Sequence, residues 1–166
     1  DGNVVDCGKG NIIIDAGKLG INAGGEALKA EYDGTDTNIT ANTIINGGYI
    51  NARTNDEKSS IFKTSGYFTL NSGNIHGEVK GNGSKIINSK SDITIEGGKL
   101  TGLVNGTLSS DTTTAGGFKC ENNLLINGGE IAIKCAGEGS KGFNCNGSMI
   151  VNDGNVTILA TAPNFV

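Results

Sequence analysis

The sequence predicts an all-β protein, a single-domain right-handed parallel β-helix of about six coils over residues 1–166. Its 166 residues include 28 glycines, one proline and no tryptophan, a composition typical of short strands and tight turns rather than helices. A phrase of the form apolar, x, apolar, polar, x, Gly, x, apolar recurs six times. Its apolar residues lie two apart, which is the period of a strand with one buried face.

The six phrases are anchored by glycines whose successive spacings are 31, 25, 25, 31 and 25 residues. These anchors are Gly17, Gly48, Gly73, Gly98, Gly129 and Gly154. An aliphatic residue stands three before and two after every anchor, and Asn, Asp or Glu stands two before it. A polar residue followed by glycine suits a bend with positive φ, and stacked Asn side chains can hydrogen-bond along the stack. We therefore expect about three strands per 25-residue unit, for instance around 118–120, 124–126 and 130–135.

Neighbouring units should stack as coils about 4.8 Å apart. The predicted stacked pairs are Phe118 on Phe143, Leu124 on Met149, and Ile131 on Val156. Such stacking makes one continuous core from units that cannot bury their own apolar face alone. The crossover rule for parallel strands favours a right-handed turn.

Charge and hydropathy exclude two classes of partner. The formal net charge is −4, and the 17 acidic and 13 basic residues are spread along the chain, so no basic stripe for nucleic acid is expected. No stretch reaches the roughly 18 to 20 apolar residues of a membrane helix, so no membrane insertion is expected. No basic and apolar leader opens the sequence, which predicts a processed chain or a fragment.

The repeated INGG-x-I phrases and two longer segments carry a family resemblance. The segments are GGEALKAEYDGTDTNITANTIINGGYI at 24–50 and GEGSKGFNCNGSMIVNDGNVTI at 137–158. They resemble the secreted carbohydrate-binding domain family of right-handed parallel β-helix proteins, whose fold is related to that of polysaccharide lyases. The resemblance implies an extracellular or cell-surface protein that binds plant-type or acidic polysaccharide, often with calcium and without established catalysis. Where that family carries DGI-x-A phrases, this chain reads SIFKT, GFKC and GFNC.

An acidic segment follows the first coil and is the candidate metal site. Its carboxylates are Glu26, Glu31, Asp33 and Asp36. Calcium takes six to eight oxygen ligands at about 2.4 Å, so this density of hard oxygens predicts calcium as a cofactor. The alternative is a solvated acidic insertion that keeps the protein soluble.

Outward positions after the glycines are the candidate carbohydrate-binding residues. They are Tyr49, Arg53, His76, Glu78, Lys99, Glu130 and Lys134. On a solenoid these side chains project from one elongated face, where mixed donors and acceptors can follow a sugar chain. A polar surface without a ligand accounts for them equally well, since sugar modules usually stack rings on aromatic side chains and the chain has three tyrosines.

Catalytic chemistry has little support in the sequence. A lyase needs a base and a cation near an acidic sugar, roles for which Lys29, Lys119 and Lys141 are available. The single histidine, His76, lies in no recognisable phrase with Ser or Cys, which argues against nucleophilic catalysis. We therefore expect no enzyme activity.

The four cysteines indicate core thiols rather than a zinc site, because no CxxC or Cys-His spacing occurs. Cys120 and Cys145 both stand nine before their glycines, and Cys7 stands ten before Gly17. Adjacent coils would place the Cα atoms of Cys120 and Cys145 within disulfide range, with side chains awkwardly aimed. The redox state of these residues and of Cys135 stays open.

One outward column is apolar and is the candidate assembly surface. Its apolar members are Ile13, Ile44, Leu125 and Ile150. An exposed apolar row of this kind is typical of a surface that packs against a loop, another subunit or another surface. The open ends of a solenoid also expose unpaired strand edges. Three functions follow: an extracellular polysaccharide-binding or adhesion module, a fibre subunit that stacks head to tail as a homo-polymer, and a calcium-dependent polysaccharide lyase. The first is preferred.

Overall fold

The computed structural model describes residues 2–161, and every helix or strand element in that range is a β-strand. The strands are, in chain order, β1 (Val5–Asp6), β2 (Ile12–Ile14), β3 (Lys18–Ala23), β4 (Leu28–Ala30), β5 (Thr43–Ile45), β6 (Tyr49–Thr54), β7 (Ser60–Thr64), β8 (Phe68–Leu70), β9 (Asn74–Val79), β10 (Lys85–Ser89), β11 (Ile93–Ile95), β12 (Lys99–Val104), β13 (Gly116–Cys120), β14 (Leu124–Ile126), β15 (Glu130–Cys135), β16 (Lys141–Cys145), β17 (Met149–Val151) and β18 (Asn155–Ala160). Residues 2–161 include no helix long and apolar enough to cross a membrane.

The strands form three parallel sheets of six, one strand from each coil. Sheet A contains β1, β4, β7, β10, β13 and β16; sheet B contains β2, β5, β8, β11, β14 and β17; sheet C contains β3, β6, β9, β12, β15 and β18. Each strand from β1 to β15 pairs with the strand three places later in the chain. The predicted all-β parallel β-helix of about six coils is therefore confirmed, and its right-handed sense rests on the crossover rule.

The register confirms all three predicted stacks. Phe118 pairs with Phe143, Leu124 with Met149, and Ile131 with Val156. The rings of Phe118 and Phe143 stack with centroids 4.9 Å apart. Three strands of the fifth coil also lie where the sequence puts them, at 116–120, 124–126 and 130–135.

Inward-facing columns of aliphatic side chains make one continuous core. Ile45, Leu70, Ile95 and Ile126 stack in register on sheet B and are fully buried. Each side chain fills the space between its counterparts in the coils above and below, so burial depends on both neighbours. In the sixth coil the same position, Val151, is 49% exposed.

A ladder of amides and carboxylates runs along the bend between sheets B and C. Nδ2 of Asn46 donates to Oδ1 of Asp15 at 2.7 Å, and Nδ2 of Asn71 donates to Oδ1 of Asn46 at 2.7 Å. Nδ2 of Asn152 likewise donates to Oδ1 of Asn127 at 2.8 Å. The expected hydrogen bonds along the Asn stack are thus confirmed, and each one ties a coil to the preceding coil.

The two longer spacings correspond to two insertions at corners of the solenoid. The first lies between β4 and β5, and the second lies between β12 and β13. The second is anchored by an ion pair between Lys58 and Asp111 at 2.6 Å. It also covers Lys85, which is 3% exposed and donates hydrogen bonds from Nζ to the carbonyl oxygens of Gly83, at 2.7 Å, and Thr114.

Candidate functional site

The outer face of sheet C carries three parallel columns of side chains. The first column is Lys18, Tyr49, Asn74, Lys99, Glu130 and Asn155; the middle column is Gly20, Asn51, His76, Thr101, Ala132 and Thr157; the third column is Asn22, Arg53, Glu78, Leu103, Lys134 and Leu159. The columns exist because alternate residues of a strand face outward and the strands pair without a shift. All seven predicted carbohydrate-binding residues lie on this one face.

The middle column is shorter than the two columns beside it in most coils. Gly20 and Ala132 have almost no side chain, whereas Tyr49 and Arg53 flank the middle column with long ones. The result is a trough along the solenoid axis, bounded by the first and third columns. Five steps of about 4.8 Å make it about 24 Å long.

The trough contains a depression of about 430 Å³ over the first three coils. It is lined by Gly20, Ile21, Asn22, Asn51, Ala52, Arg53, His76 and Glu78. Gly20 leaves the floor open, because a Cβ added there would have no atom within 4 Å. The depression therefore combines amide, guanidinium, imidazole and carboxylate groups with enough room for a small polar ring.

A smaller depression of about 170 Å³ adjoins the first along the trough. It is lined by Tyr49, Asn74, Ile75, His76, Lys99 and Thr101. Tyr49 is the only Phe, Tyr or Trp residue in the three columns, and it is 45% exposed. An exposed phenol ring offers an apolar face with a polar tip, which suits contact with the face of a sugar.

Arg53 is held in place by the next coil. Its Nε donates to Oε2 of Glu78 at 2.7 Å, while Oε1 of Glu78 accepts from Nδ2 of Asn105 at 3.0 Å. Both carboxylate oxygens are thus occupied within the protein. The terminal nitrogens of Arg53 make no hydrogen bond with residues 2–161, so they remain as donors to a ligand.

His76 is fixed by a hydrogen bond along the middle column. Its Nδ1 lies 2.8 Å from Oγ1 of Thr101, and the Thr101 hydroxyl donates to the carbonyl oxygen of Ile75 at 3.4 Å. The imidazole tautomer sets which of the two atoms donates in this contact. In either tautomer Nε2 can hydrogen-bond to a hydroxyl group, as an acceptor when the proton is on Nδ1 and as a donor when it is on Nε2.

The trough carries more positive than negative charge. Its columns hold four cations and two anions: Lys18, Arg53, Lys99 and Lys134 against Glu78 and Glu130. The local balance is +2, whereas the whole chain has a formal charge of −4. Lys99 and Glu130 form an ion pair at 2.8 Å with both side chains about half exposed, so they contribute little stability.

The structure unites five of the seven predicted binding residues around the two depressions. Arg53, His76 and Glu78 line the larger one, and Tyr49 and Lys99 join His76 at the smaller one. Glu130 and Lys134 lie farther along the face and line neither. The sequence reasoning missed Gly20, Asn22, Asn74 and Thr101, although their positions relative to the glycine anchors would have placed them in the same columns.

Three of the four predicted metal residues form an ion-pair cluster with lysines on or next to sheet A, which include Lys29, 3.7 Å from Glu31. Lys63 contacts Glu26 at 3.0 Å and Glu31 at 3.2 Å. Lys90 contacts Glu31 at 2.9 Å and Asp33 at 2.8 Å. Asp36 instead accepts hydrogen bonds from the backbone and side-chain nitrogens of Asn38, both at 3.0 Å.

Glu31 is the centre of this cluster, with a side chain that is 6% exposed. Burial alone would raise its pKa, but hydrogen bonds and charge from Lys90 and Lys63 outweigh burial and hold the pKa below its usual value. No group of three or more His, Cys, Asp or Glu residues in the described range is arranged to hold a metal ion. The four residues do not form an open calcium cage, and calcium binding stays a prediction.

Two of the residues considered for a lyase face outward in one column of sheet A. Lys29 contacts Asp6 at 3.6 Å and Glu31 at 3.7 Å, and Lys119 contacts Glu121 at 2.6 Å. Lys119 and Glu31 line one small depression of sheet A, whereas His76 bonds to Thr101 on sheet C. The histidine is therefore on a different face from these lysines.

The predicted apolar column lies on the outer face of sheet B. In register it is Ile13, Ile44, Thr69, Thr94, Leu125 and Ile150. Ile13 is 54% exposed and Ile150 is 46% exposed, while the four members between them are half-buried. The outward orientation of this column is confirmed.

Comparison with known protein families identifies the family of this chain. A profile described as "Carbohydrate-binding domain-containing protein" matches residues 54–163, about two thirds of the chain. The chain belongs to this family of carbohydrate-binding domain-containing proteins. No curated protein and no solved structure matches it significantly.

Proposed function

We propose that the protein is an extracellular, non-catalytic module that binds linear polysaccharide along the trough of sheet C. The observation that carries the proposal is the continuous polar trough with one exposed aromatic ring, in a chain of the carbohydrate-binding domain family. Attachment to a glycan-coated surface would use the same contacts, so adhesion needs no second site.

The shape of the trough favours an extended sugar chain that runs across the strands. Tyr49 packs against one ring face, while Asn51, Arg53 and His76 meet hydroxyl or carboxylate oxygens. Each coil repeats the three outward positions, so an extended sugar chain meets a new set of side chains at each strand spacing. The local charge of +2 favours acidic polysaccharide over neutral polysaccharide.

The proposal is tested by measuring affinity for a panel of neutral and acidic polysaccharides, such as a linear β-glucan and polygalacturonate. Tyr49→Ala removes the ring, Arg53→Met removes the guanidinium, and Gly20→Val fills the floor of the larger depression. We expect the wild-type protein to prefer the acidic chain and each variant to bind it at least five-fold more weakly.

Two variants on other faces serve as matched controls. Tyr67→Ala removes a tyrosine that is 42% exposed beside sheet B, and Lys119→Met removes a cation on sheet A. Both should bind as tightly as the wild type. Equal losses in the trough variants and the controls, or no binding to any member of the panel, would reject the trough as the site.

Calcium assistance and lyase activity are tested in the same samples. Calcium assistance, in which an ion at Glu31 would replace Lys63 and Lys90, predicts tighter polysaccharide binding with calcium than with a chelator, and equal affinity in the two buffers would reject it. Unsaturated products from an acidic polysaccharide, detected by ultraviolet absorbance, would replace the non-catalytic assignment with the lyase.

A second candidate function is a subunit of an extracellular homo-polymer. It is favoured by the apolar column on sheet B and by the sixth coil, where Met149 and Ile158 are 49% and 43% exposed although their partners Leu124 and Ile133 are buried. Burial of these apolar side chains requires another packing layer, which an additional segment of chain or a second copy of the protein can supply. The triple variant Ile13→Ser, Ile44→Ser and Ile150→Ser should keep the fold.

Sedimentation velocity and negative-stain microscopy at rising protein concentration decide between the two candidates. Dispersed monomers that still bind polysaccharide leave the binding module in place. Filaments that disappear in the triple variant would assign the apolar column to assembly, and filaments that persist in it would assign assembly to the ends.

A further inference from the structure

Two cysteines meet inside the corner between sheets A and B. The column there reads Thr64, Ser89, Cys120 and Cys145 in successive coils. Cys120 and Cys145 are direct register partners on β13 and β16. Adjacent strands lie about 4.8 Å apart, and disulfides accept Cα separations of about 4.4–6.8 Å. The backbone therefore already satisfies the distance that a disulfide requires.

The two thiols differ in access to solvent. Cys120 is fully buried, and its thiol donates to the carbonyl oxygen of Asn122 at 3.8 Å. Burial first, and then a hydrogen bond with Cys145, raises the pKa of Cys120 to about 12. Cys145 lies in the more exposed sixth coil and is half-buried. The two residues are thus neighbours in register, and Cys145 is the one that a dissolved oxidant reaches.

The other two cysteines are too far from this pair to compete. Cys135 pairs with Val104 and Ala160 in a column of sheet C. Cys7 follows Asp6 at the start of the same corner column, four strand spacings, or about 19 Å, from Cys120. Among the cysteines, only Cys120 and Cys145 occupy adjacent strands at one position.

We propose that Cys120 and Cys145 form a redox-sensitive pair that closes into a disulfide on exposure to a small-molecule disulfide. The Cys145 thiolate attacks the oxidant, forms a mixed disulfide and releases one thiol. Sγ of Cys120 then attacks Sγ of Cys145 and breaks the mixed disulfide, and the proton of Cys120 passes to the departing sulfur, which leaves as the second thiol. Two protein thiols lose two electrons and two protons in total, and the oxidant is reduced to two thiols.

The bond would fasten the most exposed coil to its neighbour. Strands β16, β17 and β18 contain no buried residue, and they contact the rest of the described chain through one coil only. A covalent link from β16 to β13 restricts opening of this coil. The inference is independent of sugar binding, since neither cysteine faces the trough.

Peptide mapping tests the pair directly, because trypsin separates the three cysteines of the last two coils. Cleavage after Lys119, Lys134 and Lys141 places Cys120 in 120–134, Cys135 in 135–141 and Cys145 in 142–166. The folded protein is equilibrated with glutathione disulfide, remaining thiols are alkylated, and the digest is analysed without reductant. We expect peptide 120–134 linked to 142–166, with a mass two hydrogens below their sum.

Matched variants separate the pair from general thiol reactivity. Cys135→Ser should keep the link, whereas Cys120→Ser should stop at a glutathione adduct on Cys145. The proposal would be overturned by any of three results in the wild type. These are recovery of alkylated peptides only, a glutathione adduct without a disulfide-linked peptide pair, and a disulfide that involves Cys135.

Amide hydrogen exchange of residues 141–161 tests the consequence. We expect oxidation to slow exchange there several-fold in the wild type and to leave Cys120→Ser unchanged. A disulfide that forms without slowing this exchange would overturn its role in fastening the sixth coil.

Discussion

Arg53 and Glu78 form an ion pair across neighbouring coils, with Nε of Arg53 2.7 Å from Oε2 of Glu78. The pair turns a flexible side chain into a fixed donor in the trough. We predict that Arg53→Lys, which keeps the charge but loses the planar fork, weakens binding of acidic polysaccharide about three- to ten-fold. Isothermal titration calorimetry at two salt concentrations measures the loss, and the salt dependence should stay that of the wild type.

A control variant in the third column of sheet C distinguishes the effect of the fixed position of Arg53 from the effect of its charge. Lys134→Met removes one positive charge outside both depressions, so it should reduce the salt dependence while costing less affinity than Arg53→Lys. If Lys134→Met costs as much as Arg53→Lys, general attraction rather than the fixed guanidinium explains binding.

Substitution of a core residue tests the inward columns. Ile126 is fully buried between Ile95 and Val151, so Ile126→Asp buries a charge without a partner. The cost of several kcal/mol rivals the whole stability of a domain, and we expect no folded protein by circular dichroism. Ile150→Asp, one residue earlier in the next coil and 46% exposed, should fold. An Ile126→Asp protein with an unchanged melting temperature would refute the inward assignment.

Backbone geometry at the bends gives a second stability prediction. Gly98 has a φ of +80°, and an added Cβ would lie 2.7 Å from the carbonyl oxygen of Gly73. Gly98→Ala should therefore lower the free energy of unfolding by about 1–3 kcal/mol. Gly20→Ala meets nothing within 4 Å and should change it by less than about 0.5 kcal/mol. Urea denaturation of both variants checks the contrast, which equal losses would contradict.

Lys85 makes stability depend on pH in the alkaline range. Burial first, and then the positive charge of Lys119, lowers the pKa of Lys85 to about 8 from 10.5. Between these values the unfolded chain binds more protons than the folded protein, so the free energy of unfolding rises with pH from about 8 to 10.5. Below pH 8 the folded protein carries the full cost of burying the charged amine. Relative to Lys85→Met, we expect the wild type to gain about 2 kcal/mol between pH 7 and pH 10.

Urea denaturation in reducing buffer measures this difference, because both proteins share every other titrating group. A difference that stays constant with pH would show that Lys85 keeps its proton in the folded state. A difference that falls with rising pH would show that the folded state favours the charged amine.

Repeated positions could be predicted from the sequence because the glycine anchors fix the register. The stack of Leu124 on Met149 and the outward direction of Ile13 and Ile150 both follow from counting residues to the nearest anchor. The same count placed Tyr49 and Arg53 on one face. Shape was harder to predict, since a depression depends on a missing side chain, such as that of Gly20, as much as on those present.

Contacts of the insertions could not be predicted, because inserted residues follow no period. Glu31 lies next to Lys63 and Lys90, which are 32 and 59 residues away along the chain. A pattern of nearby acidic residues in the sequence resembles a cation site when these lysines are not considered. Lys85 is a similar case, since its burial depends on an insertion that the repeats do not describe.

The ladder between Asp15 and Asn152 and the columns of sheet C share one property: each position of a coil stacks on the same position of the next coil. A tandem duplication of one 25-residue unit would leave each existing coil with equivalent neighbours. It would also lengthen the trough by one strand spacing. The gene can thus acquire a longer ligand-binding surface in a single recombination event, without an intermediate that fails to fold.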